Sequence, residues 1–96
     1  HGILTPPDDL ARTRIVARVI LFHGWDDPLA PPDHVEAHAR ELGEAGADWQ
    51  IHAYGGTMHG FTNPKAADPA SGILFNPRAA ERAWRSLEGF LEECFA

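Results

Sequence analysis

The chain has 96 residues, with 14 acidic against 8 basic side chains and a formal net charge of -6. An acidic balance without a basic stripe argues against nucleic acid, whose phosphates require clustered Lys and Arg. No apolar run approaches the roughly 20 residues that cross a bilayer, so no membrane span is expected.

Residues 1–14 carry prolines and aspartates without sustained period and read as an extended lead-in. The start at His1, without an initiator methionine and within loop-like sequence, is that expected of a piece of a longer protein. No signal-peptide pattern precedes the first apolar run, and the chain has one cysteine, so a reducing, cytoplasmic setting is expected. A domain of this length buries a modest fraction of its surface, and its core is expected to be marginal.

From Ile15 to Phe22 the apolar residues are nearly continuous, as in a strand of a parallel sheet covered on both faces; Gly24 ends it. After Pro28, Pro31 and Pro32, the spacing of Val35, Ala39 and Leu42 predicts a helix from Asp33 to about Gly43. Ala47 to Tyr54 alternates Trp49, Ile51 and Ala53 with Gln50 and His52, which predicts a half-exposed strand near a sheet edge. Gly55 to Phe75 lacks periodicity and reads as a long loop.

Asn76 followed by Pro77 is a helix start, with the side chain as cap and the proline in the first turn. Ala80, Trp84, Leu87 and Leu91 then form the apolar stripe of the final helix, and Cys94 in its last turn reads as a packing residue. Two strands joined through a helix are expected to be parallel. A two-stranded sheet has open edges, and these want covering.

Two loops carry the residues of chemical interest. Past Gly24 stand Asp26 and Asp27; past Gly55 and Gly56 stands His59. An aspartate after a strand is by itself a common turn residue, and a lone loop histidine is commonly just exposed. Together, and in this order, they supply a base and the group that orients it. In a parallel sheet the loops after the strands open on one side, which can make the two neighbours.

Asp26 and Asp27 compete for the acid's place on spacing alone. His23, at the strand end, is expected to pack or to donate to backbone. His34 and His38 lie four apart on the first helix but lack the His-Glu-x-x-His pattern, so no metal is expected there.

The segments Gly24-Trp25-Asp26-Asp27-Pro28-Leu29-Ala30-Pro31, Gly46-Ala47-Asp48-Trp49 and Tyr54-Gly55-Gly56-Thr57-Met58-His59-Gly60-Phe61, with a terminal helix ending Phe90-Leu91, resemble the C-terminal part of the dienelactone hydrolase family. The resemblance implies the C-terminal part of an α/β-hydrolase fold over residues 15–96. The elements themselves read strand, helix, strand, helix with parallel strands, and the open sheet is expected to be completed by another copy or by an N-terminal half. On it Asp26 matches the triad acid and His59 the triad histidine.

The family's nucleophile sits upstream on a Gly-x-Cys/Ser-x-Gly elbow. Ser71, Ser86 and Cys94 are in no such frame.

Two functions are therefore expected of the chain. One is the acid-and-histidine segment of a hydrolase of small esters or lactones, inactive without a nucleophile, for which no metal or organic cofactor is implied. The other is a non-catalytic module that forms a homodimer through its sheet edge or helix stripe.

Overall fold

The computed structural model describes residues 16–96, so the lead-in expected over 1–14 lies outside the described residues. β1 (Arg18–Gly24) and β2 (Asp48–Tyr54) pair in parallel, from Arg18 opposite Asp48 to Gly24 opposite Tyr54. α1 (Pro32–Glu44) connects them and packs against β2. Both strands therefore end on the same side, and the loops that follow them share it. This is the expected partial α/β-hydrolase arrangement with an incomplete sheet.

α1 begins one residue earlier than its apolar spacing predicts, because Pro32 suits the first helical turn, where its missing N–H costs no bond. Its buried residues are Val35 and Leu42. The helix ends as the Ala45 N–H reaches the Glu41 carbonyl and the Gly46 N–H the Gly43 carbonyl.

The strands are less enclosed than their sequence suggests. Val19 to Phe22 are only half-buried, since the outer edge of β1 carries no strand among the described residues. In β2 the expected alternation is not kept. Trp49 and Ala53 are exposed, whereas Gln50 and His52 are half-buried. The polar pair is accommodated because His52 Nε2 and Gln50 Oε1 lie 3.1 Å apart and the His52 ring stands edge-on to Phe22 at 5.5 Å.

The aperiodic stretch after β2 holds a small antiparallel pair, β3 (Ala67–Asp68) and β4 (Ile73–Leu74), around a 3-10 turn at Pro69–Ser71. Two-residue strands are too short to leave a period in sequence. α2 (Pro77–Phe95) then starts as expected, with the Asn76 side chain accepting from the Ala79 N–H at 3.1 Å.

The buried residues of α2 all lie in its first half. Ala79, Ala80 and Ala83 are covered, and Ala79 and Ala83 cluster with Phe61 against Phe22 and Tyr54. Farther along, Trp84 is 52 % exposed and Leu91 43 % exposed. The small core thus lies directly under the loop that follows β2. No helix among the described residues is long and apolar enough to cross a membrane.

Candidate active site

The loop after β1 is built from two successive turns that share Asp27. The Asp27 N–H donates to the Gly24 carbonyl at 3.1 Å, and the Ala30 N–H donates to the Asp27 carbonyl at 3.3 Å. Pro28 occupies the second position of the second turn, where its fixed φ is already correct. This geometry turns the Asp27 side chain inward. One carboxylate oxygen, Oδ1, accepts from the Leu29 N–H at 2.8 Å, and the other, Oδ2, accepts from His59 Nδ1 at 2.8 Å.

The carboxylate brought to His59 is therefore that of Asp27, and not that of Asp26, which the resemblance had matched to the acid. The turn explains the difference. Asp26 sits at the third position of the first turn with its side chain exposed, and its backbone N–H is engaged by the Thr57 carbonyl at 2.9 Å. Asp27 closes that turn and is buried.

The loop after β2 is joined to the first by backbone. Besides the Asp26 bond, the Trp25 N–H donates to the Tyr54 carbonyl at 2.9 Å. Gly24 allows this approach: a Cβ there would stand 2.6 Å from the Thr57 oxygen and 2.7 Å from the Met58 oxygen. Thr57 is buried, donates its hydroxyl to the Gly55 carbonyl at 2.9 Å, and accepts from Asn76 Nδ2 at 3.2 Å. Asn76 thus caps α2 with one side-chain atom and anchors the histidine loop with the other. Its own N–H donates to the Phe61 carbonyl at 3.0 Å.

His59 is held from its backbone as well as its ring. Its N–H donates to the Gly72 carbonyl at 3.0 Å, and its carbonyl accepts from the Leu74 N–H at 3.2 Å. Gly72 has φ +78, a conformation that favours glycine, and it packs against the Pro28 ring. The segment around β3 and β4 consequently braces both loops at once.

An ionised carboxylate only accepts hydrogen bonds, so the bond to Asp27 places the proton of the neutral His59 ring on Nδ1 and the lone pair on Nε2. That tautomer is the one a general base uses when an acid orients it. The ring lines an open cavity of about 330 Å³ with Asp27, Phe22, Phe61, Thr62 and Trp84. Among the described residues no three His, Cys, Asp or Glu side chains group as a metal site.

His23, expected to pack or to bond backbone, does both: it is buried, and its Nε2 lies 2.7 Å from the Ala30 oxygen. Ser71 is exposed on the 3-10 turn, while Ser86 and Cys94 lie along α2. Thr57 and the second bond of Asn76 carried no sequence signature, since the contact spans 19 residues.

The sequence matches the dienelactone hydrolase family over residues 1–95. A search of curated proteins finds no match. Among solved structures, the crystal structure of a dienelactone hydrolase-like promiscuous phosphotriesterase from metagenomic libraries is similar, with a TM-score of 0.71 and 30% identity. The alignment covers 78% of this chain and 32% of that one, so the chain spans about a third of that protein's length. With a family match over nearly all of its residues, this chain belongs to the dienelactone hydrolase family, as its loops suggested.

Proposed function

We propose that this chain supplies the acid and the histidine of a dienelactone-hydrolase-like hydrolase acting on small esters or lactones. In this reading Asp27 fixes the tautomer and orientation of His59 and stabilises the imidazolium that forms. His59 Nε2 takes the proton of a nucleophile carried outside these 96 residues and returns it to the leaving group. The observation that carries the reading is the 2.8 Å bond between buried Asp27 and a His59 ring that opens on a cavity. Without a nucleophile in an elbow frame, the chain by itself is expected to hydrolyse no ester by this route.

The test has two arms. The purified chain is assayed on a chromogenic short-chain ester beside its His59→Ala variant, and no difference is expected. The chain is then grafted in place of the matching third of the structurally similar phosphotriesterase, and the chimera is assayed on the same ester and on a chromogenic phosphotriester. Hydrolysis that His59→Ala abolishes supports the reading; hydrolysis indifferent to His59 and Asp27 rejects it.

A second reading rests on the exposed apolar residues of α2. Trp84, Leu91 and Phe95 leave an apolar face in water, and a second copy of the chain covering it would make the chain a self-associating module. Its test is the oligomeric mass of the chain at micromolar concentration.

A further inference from the structure

His23 is 2 % exposed and takes no part in the acid and histidine pair. It is the next-to-last residue of β1, opposite Ala53 of β2. Its ring reaches past the loop that carries Asp27 and meets the Ala30 carbonyl, seven residues on, at 2.7 Å. The ring also stands edge-on to Trp25 at 5.9 Å and lines the cavity that Asp27 and His59 share.

A carbonyl only accepts, so this bond puts a proton on Nε2. The other nitrogen, Nδ1, is buried without a hydrogen-bond partner among the described residues. Burying an unmatched nitrogen is unfavourable, and an apolar ring would fill the same volume without it. The histidine is therefore explained by what its Nε2 does.

That bond closes the loop where its own backbone closes it least well. The second turn relies on the 3.3 Å bond from the Ala30 N–H to the Asp27 carbonyl, whereas the bond of His23 to Ala30 is 2.7 Å. The two contacts hold opposite ends of the same residue, one turn away from the carboxylate.

We propose that His23 is a positioning residue, whose Nε2–H bond to the Ala30 carbonyl staples the loop of residues 24–30 and sets Asp27 within bonding distance of His59. Its effect on hydrolysis rests on the function proposed above; its effect on the Asp27–His59 bond does not.

The experiment is side-chain histidine NMR on the ¹⁵N- and ¹³C-labelled chain, with His23→Phe and His23→Gln. In the wild-type chain the His23 proton resides on Nε2 and couples across the hydrogen bond to the Ala30 carbonyl. In His23→Phe, solvent exchange of the His59 Nδ1 proton rises about tenfold, the effect of one lost hydrogen bond on local opening. In His23→Gln, whose side-chain amide can reach the same carbonyl, that proton stays protected.

A His23 proton found on Nδ1, or a His59 proton as protected in His23→Phe as in wild type, overturns the proposal. Should His23→Phe lose its amide dispersion, the glutamine variant decides: a protected His59 proton supports the staple, and an unprotected one rejects it. In the chimera, His23→Phe lowers kcat by about a hundredfold, as misplacement of a catalytic group does, leaves KM little changed, and is rescued by His23→Gln. A chimera indifferent to His59→Ala would instead defeat the functional reading and leave the NMR result standing.

Discussion

The end of the sheet that carries the two loops and the far half of α2 differ in an unexpected direction. At the loops, polar side chains are among the well-covered residues of the described chain: His23, Thr57 and Asp27 are buried, and each has a hydrogen-bond partner. Along α2, large apolar side chains are among the worst covered, with Phe95 at 84% exposure. The difference teaches that the acid and histidine geometry is secured by short-range hydrogen bonds between two loops and a helix cap. It does not depend on a large core. The apolar faces, in contrast, are unfinished without further covering.

The largest expected effect separates the two neighbouring aspartates. In the chimera, Asp27→Asn should lower kcat by about 10⁴-fold, because an amide can hold His59 in the wrong tautomer. Asp26→Asn, a change at an exposed turn side chain, should stay within about twofold. Steady-state kinetics on the chromogenic ester checks both. Comparable losses for the two variants would mean that the inward turn of Asp27 does not govern the chemistry.

Next in size is Gly24→Ala. The added methyl meets two backbone oxygens, which cannot step aside as a side chain can, so the loops must separate. A destabilisation of about 2 kcal/mol is expected, as for overpacking of a filled site, read by denaturant titration of the chain. The His59 Nδ1 proton should lose protection in the same variant. Stability lost without any change at His59 would show that the loops are held independently of each other.

The elements that were legible from sequence are those with a local cause. The Asn76-Pro77 helix start carries its cap chemistry in two adjacent residues, and the α1 stripe shows in Val35 and Leu42. The parallel pairing of β1 and β2 followed from one helix lying between two strand patterns. The choice of Asp27 over Asp26 was not legible, because both follow the same glycine and only the turn geometry sorts them. The exposure of Trp49 and Ala53 was hidden for a similar reason: alternation marks two faces but not which face a helix covers. The bracing of His59 by Gly72 and Leu74 joins residues far apart in sequence, through backbone groups that every residue carries.

A smaller effect tests the link between the loops and α2. Asn76→Ala removes the cap that accepts from the Ala79 N–H, worth about 1 kcal/mol, and it also deletes the donor to Thr57. Asn76→Asp keeps a capping oxygen and loses only that donor. If the loop depends on the link, both variants should unprotect the Thr57 hydroxyl and the His59 ring proton, whereas only Asn76→Ala should lower helix stability. Equal behaviour at His59 in wild type and Asn76→Asp would confine Asn76 to the helix.

The smallest effect on the folded chain, and the sharpest on its association, belongs to the other side of the comparison. Trp84 is half exposed, so Trp84→Glu should change the stability of a monomer by no more than about 0.5 kcal/mol. If a second copy covers α2, the same change places a charge where apolar area was removed from water at roughly 25 cal/mol per Å², and the dimer should dissociate. Light scattering on wild type and variant at micromolar concentration separates the cases. A dimer that Trp84→Glu converts to monomer completes the apolar half of the molecule with its own kind. A wild-type chain that is monomeric at that concentration removes the self-association reading, and the cover for α2 must then come from protein outside the described residues.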